Sequence, residues 1–137
     1  MVGFLVRQLP LVSNADLVPY RRLVTRTAET RLPTVWGEFR CLAFRSLLDG
    51  ETHVALMMGD ISGDGVFVHV HQQCLAGDLF DPGSPLRHAM QHIAEVGAGV
   101  IVYLRSDPSD HVEPIGRQIL ADLGVKTTRR IPDRLLA

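Results

Sequence analysis

The feature that most constrains this chain is a two-residue hydrophobic alternation that recurs between Trp36 and Val70. From Trp36, the residues Phe39, Cys41 and Ala43 alternate with Glu38 and Arg40, LLDG at 47–50 supplies a turn, and Val54, Leu56 and Met58 alternate again. Successive side chains of a strand point to opposite faces, so the pattern reads as a hairpin. Beyond it, Val66, Val68 and Val70 face one side of a further strand, while Phe67, His69 and His71 face the other.

The second half changes period. Ser84 caps a helix with Pro85 at its first position; Leu86, Ala89, Met90 and Ile93 fall on one face, and Gly97 ends it. Val100 to Leu104 reads as a buried strand. The polar loop SDPSDH leads to a second helix from about Pro114, with Ile115, Ile119, Leu120 and Leu123 inward and Gly124 as its stop. Because strands precede helices, the expected class is α/β or α+β: a mixed, mainly antiparallel sheet with helices packed on one face. The chain shows no internal repeat or composition break, and DPGSP at 81–85 is its strongest punctuation. We therefore expect one domain over residues 1–137.

At 137 residues, with 46% hydrophobic and 21% charged residues, one core is the expectation. Fourteen basic against fifteen acidic residues leave a formal charge of −1, so no global field favours nucleic acid or an anionic membrane. KTTRR at 126–130 with Arg134 reads as a solvated end. Arg7 and Pro10 interrupt the apolar start MVGFLVRQLPLV, which does not read as a signal peptide. The longest apolar run, GVIVYL at 99–104, is strand-sized and far short of a membrane span. Cys41 and Cys74 make no disulfide framework, so a reducing cytoplasm is the expected setting.

The stretch HVHQQCLAGD at 69–78 carries the densest chemistry. His69 and His71 share a strand face, and Cys74 can turn back towards them, so these three with Asp78 have the spacing of a zinc site. The preferred reading is simpler: two pocket or interface histidines, and Cys74 as a small core residue. His88 and His92 are spaced i,i+4 on the face opposite the apolar stripe, where solvent exposure is expected. Asp107 and Asp110 flank a proline and read as turn and cap residues rather than as general acids or bases.

Five segments in order, RLPTVWGEF (31–39), HVALMMGDIS (53–62), HQQCLAGD (71–78), IAEVGAGVIVYLR (93–105) and ILADLGV (119–125), resemble GTP cyclohydrolase II, the riboflavin-pathway enzyme. The resemblance implies a mixed α/β fold with a prominent sheet, a homodimer and a cytoplasmic setting. It also implies a zinc held by three cysteines, of which only Cys74 has a counterpart here. His69 stands where the family has arginine, Gln72 where it has serine and Gln73 where it has glutamate. After Arg105 the phosphate-contacting E-G-R-G-I-G stretch and the segment with the catalytic tyrosine and arginine have no counterpart, nor does the later N-N-P segment. One thiolate cannot hold the family's zinc, and loss of the phosphate donors removes the anchor for a triphosphate.

A shortened family member is therefore expected to have left GTP chemistry. The reading from these residues is a metal-independent small-molecule enzyme, such as a cyclase folding a largely apolar intermediate, that requires no cofactor. Its catalytic groups would be His69, His71, Gln73 and Tyr103; its substrate would be held by Trp36, Met58, Phe67, Gln72 and Arg105. The alternatives are a non-catalytic ligand-binding or regulatory subunit, and a rebuilt zinc site on His69, His71 and Cys74.

Overall fold

The computed structural model describes residues 22–81, 83–105 and 112–132. The N-terminal apolar stretch, Asp107, Asp110 and Arg134 lie outside the described residues. The strands are β1 (Val24–Thr34), β2 (Gly37–Ser46), β3 (Thr52–Met58), β4 (Val66–Gln72), β5 (Gly99–Leu104) and β6 (Thr128–Arg130). The helices are α1 (Leu75–Phe80) and α2 (Pro85–Val96), between β4 and β5, and α3 (Val112–Asp122), between β5 and β6. The strands form one sheet in the order β1-β2-β3-β5-β4-β6. β1, β2, β3 and β5 pair antiparallel in succession, whereas β4 runs parallel to both β5 and β6. The class is the mixed, mainly antiparallel α+β architecture that the two periods predict.

The expectation of helices on one face is corrected. On one side of the sheet, Leu42, Phe44, Ala55, Met57, Val100, Val102 and Leu104 pack with Ile115 and Ile119 of α3. On the other, Phe39, Leu56 and Ile101 pack with Ala89, Met90 and Ile93 of α2 and with Ile131. The reason lies in the connections. From β4 the chain crosses one way to β5, then back past β4 to β6, and crossovers of one hand taken in opposite directions put their helices on opposite faces. β5 is consequently buried along its length apart from Tyr103, as a strand covered on both sides must be. Burial of each isoleucine on this scale contributes about 1.5–3 kcal/mol.

Local signals place α2 as predicted. Ser84, extended at φ −62° and ψ 150°, accepts the Arg87 N–H through its side chain, Pro85 opens the helix, and Gly97 closes it at φ 94°. Gly99 lets α2 sit close on β5, since a Cβ there would lie 2.6 Å from Ile93 Cγ1. α3 starts at Val112, two residues before Pro114, and Ile115 and Ile119 are its most deeply buried residues.

Three elements were not anticipated. β1 is a sheet edge whose side chains are exposed from Thr25 to Pro33, so it lacks the one-sided apolar alternation that would reveal it. Its start is held from α3, where Gln118 Oε1 accepts the N–H groups of both Leu23 and Val24. KTTRR, read as a solvated end, contains β6; its side chains are exposed, but its backbone pairs with β4. The third is the short helix α1. Among the described residues no helix is long and apolar enough to cross a membrane.

Candidate functional site

Alternation along β4 puts His69 and His71 on the α2 side of the sheet, with Phe67, while Val66 and Val68 pack on the α3 side. Parallel pairing sets His71 opposite Tyr103 of β5, and their rings stack with centroids 5.4 Å apart. After Gln72 the chain leaves the sheet, and α1 carries Asp78 back over these two residues. The Asp78 carboxylate also reaches back to the Cys74 N–H (3.1 Å), much as a capping-box acid does. From α2, Arg87 donates to the backbone oxygens of Asp78 and Leu79, fastening the end of α1.

Asp78 is the hub of the site. Oδ2 accepts the Tyr103 hydroxyl at 2.7 Å, and Oδ1 lies 2.7 Å from His71 Nε2. His71 Nδ1 lies 3.3 Å from His69 Nε2, which extends the chain by one more ring. Burial by itself raises the Asp78 carboxyl. The bonds from Tyr103, the Cys74 backbone and His71, together with the charge of His71, outweigh it and hold the group below the usual carboxylate range. The Tyr103 hydroxyl is pushed up to about 12, first by burial and then by its bond to Asp78 and that carboxylate's charge. His69 is lowered by burial foremost, then by the charges of His71 and His88. The arrangement is a fixed carboxylate, a proton-bearing phenol and two linked imidazoles, suited to moving protons rather than to holding a nucleophile.

The donor set does not fit a zinc ion. Both ring nitrogens of His71 face partners within the cluster, and Cys74 is exposed. Among the described residues no group of three His, Cys, Asp or Glu side chains is placed to share a metal. The reading of Cys74 as a small core residue is likewise corrected: it is exposed, two residues beyond the end of β4, and belongs to neither apolar cluster.

Of the other residues singled out from the sequence, Trp36, Met58 and Phe67 do share the α2 side, as partly buried packing against its core. Gln72 alternates to the side opposite His71, and Gln73 is exposed, its N–H bound to Leu104 O. Arg105 is exposed too; its N–H donates to the buried His53 (3.0 Å), and its charge acts on Tyr103. His88 and His92, expected to be solvent-exposed, are half-buried. The His88 ring bonds Pro132 O at 2.9 Å, and His92 meets Phe67 edge-on at 4.7 Å with its Nε2 buried. The cause is tertiary: the segment after β6 reaches His88 and β4 reaches His92, and a helical wheel contains neither. Sequence reasoning missed Asp78 as the hub and Arg87 as its support. The available signal was an acid in the first turn of a helix seven residues after a strand histidine.

The fold and this site define a mixed α+β domain with an Asp–His–Tyr cluster at the end of its parallel strands, and comparison makes the class specific. The family model described as GTP cyclohydrolase II matches residues 25–113. This chain belongs to the GTP cyclohydrolase II family. It is 39% identical to a probable monofunctional riboflavin biosynthesis protein, RIBA 3, of Oryza sativa subsp. japonica, over 91% of this chain and 31% of the relative. It is 38% identical to the riboflavin biosynthesis protein RibBA of Mycobacteroides abscessus, over 88% of this chain and 40% of the relative. Both alignments extend over 168 positions against a chain of 137 residues, so each relative carries residues with no counterpart here. The fold resembles RibBX, a two domain 3,4-dihydroxy-2-butanone 4-phosphate synthase from A. baumannii, with a TM-score of 0.67, 23% identity, and coverage of 90% of this chain and 39% of that one.

Proposed function

We propose that this chain is a metal-independent small-molecule enzyme on a GTP cyclohydrolase II scaffold, which moves protons to and from a bound intermediate, as an intramolecular cyclisation requires. The observation that supports it is the Asp78 carboxylate, bonded at 2.7 Å to both Tyr103 and His71, with His69 linked in turn. Such a network keeps a carboxylate ionised and a phenol protonated side by side at neutral pH, so donor and acceptor coexist without a cation. Holding reacting atoms in a near-attack geometry adds up to roughly 7–11 kcal/mol of barrier reduction. The riboflavin-pathway names of the relatives point to heterocyclic intermediates of that chemistry as the first compounds to try, with GTP as the control that we expect to be left unchanged. We place the enzyme in the cytoplasm and infer that it is a homodimer, a mass that light scattering of purified protein checks.

The test is elemental analysis of protein purified without added metal, beside native mass spectrometry for a retained small molecule and a chelator-treated turnover assay. Substoichiometric zinc with turnover unchanged by chelator is expected. About one zinc per chain, with turnover lost on chelation, would overturn the reading. A second reading, a non-catalytic ligand-binding or regulatory subunit, draws on the residues that the relatives have and this chain lacks. A ligand that binds tightly, emerges unchanged and alters a partner's activity would establish it instead.

A further inference from the structure

We propose that His69 is the proton-accepting residue of this cluster and Nδ1 its accepting atom, the displaced proton passing from His69 Nε2 to His71 Nδ1 beside Asp78. The inference rests on the metal-independent reading above, which leaves the imidazoles free for proton transfer, and the hydrogen-bond directions carry it. An ionised carboxylate can only accept, so the atom that meets Asp78 Oδ1 at 2.7 Å, His71 Nε2, carries a proton. Tyr103, a donor to Oδ2 on the same carboxylate, and the Cys74 N–H complete its acceptor capacity on that side. With one proton on the His71 ring, Nδ1 is a lone pair. The contact at 3.3 Å then requires His69 Nε2 to donate, which leaves Nδ1 of His69 as the bare nitrogen at the end of the chain.

The step balances within the protein. A proton leaves the bound molecule for His69 Nδ1, the Nε2 proton of His69 moves to His71 Nδ1, and the positive charge comes to rest on His71, whose Nε2–H still faces Asp78. The reverse sequence returns the proton to product. Tyr103 is a positioning residue: its hydroxyl fixes which carboxylate oxygen is left for His71.

Two measurements on the full chain test this without knowledge of the substrate. Long-range proton–nitrogen correlation spectra of the imidazoles at neutral pH are expected to show His71 and His69 each protonated at Nε2 and bare at Nδ1. A His69 ring protonated at Nδ1 would overturn the proposal. Diethyl pyrocarbonate, which transfers its carbethoxyl group to an unprotonated imidazole nitrogen, should modify His69 about fivefold to tenfold faster than His71, the factor one net hydrogen bond is worth. Equal rates, or faster modification of His71, would also overturn it. In Asp78→Asn the advantage of His69 should shrink, and in Tyr103→Phe, which keeps the carboxylate, the tautomers should persist. An unchanged pattern in Asp78→Asn would show that the carboxylate does not set the polarity. Metal content and turnover decide the functional reading separately, so a failure of this proposal is distinguishable from a failure of that reading.

Discussion

Replacing Asp78 by alanine should cost the protein about 3 kcal/mol, although the residue lies outside the apolar core. In the native chain its two oxygens serve His71 Nε2, the Tyr103 hydroxyl and the Cys74 N–H. Cys74 is exposed, so water replaces the last of these. His71 is buried and Tyr103 half-buried; each stranded donor there costs about 1–3 kcal/mol, and the two share one partner, so the sum is less than additive. With an unfolding entropy of about 2.1 cal/mol/K per residue, about 3 kcal/mol corresponds to a fall in Tm of about 10 °C. Differential scanning calorimetry at pH about 7.5, with urea unfolding alongside to confirm an unchanged m-value, reads it directly. Asp78→Asn should recover less than half, because the amide turns an NH2 group towards one of the two donors. Tyr103→Phe combined with Asp78→Ala should be less destabilising than the sum of the single changes by about 1 kcal/mol, since the phenol no longer has a lost partner. A fall below about 3 °C for Asp78→Ala, or strict additivity in that cycle, would refute the view that the carboxylate organises this face.

Acid should weaken the fold before any carboxylate titrates. Burial holds both His69 and His53 below the ordinary histidine value, so the unfolded chain takes up these protons first; the stability they contribute is complete above about pH 6.5 and is lost as pH falls from there towards the folded values. The urea midpoint should therefore drop between about pH 7.5 and pH 5.5, and drop less in His69→Asn and His53→Asn; a flat or rising midpoint would contradict it. Asp78, lowered in the fold, adds a separate loss only below about pH 4. Gly59→Ala should destabilise by about 2 kcal/mol or more, because φ is 70° and an added Cβ would sit 2.1 Å from Gly97 O; thermal melting within about 2 °C of wild type would count against that contact. Gln118→Ala should free the start of β1, exposing the Leu23 and Val24 amides to rapid hydrogen exchange while the β5 amides stay protected.

Much of the architecture is legible in the sequence. The period-two runs predicted the β2–β3 hairpin and β4, Ser84, Pro85 and Gly97 predicted α2, and the isoleucines of the second helix predicted its buried face. These are local signals: each depends on residues within a few positions of one another. The family resemblance was legible for the same reason, since ordered segments survive in sequence even where intervening segments do not. Within the site, strand alternation puts His69 and His71 on one face, whereas Tyr103 comes opposite His71 only through the parallel pairing of β4 with β5.

What only the tertiary structure decided depends on direction and register. Covering of the sheet on both faces follows from two crossovers running in opposite senses, and no single segment encodes that. β1 and β6 are strands because a neighbour supplies their hydrogen bonds, not because their side chains alternate. His88 and His92 are half-buried because Pro132 O meets the first and Phe67 of β4 the second. Asp78, seven residues beyond His71 in the chain, becomes the partner of both His71 and Tyr103 because a single short helix reverses its path. Sequence alone determined the elements with a clear local period and the shared strand face of His69 and His71; the edge strands, the place of Asp78 and which atom donates to which were left to the packing, since a hydrogen bond is set by angstroms across elements and not by spacing along the chain.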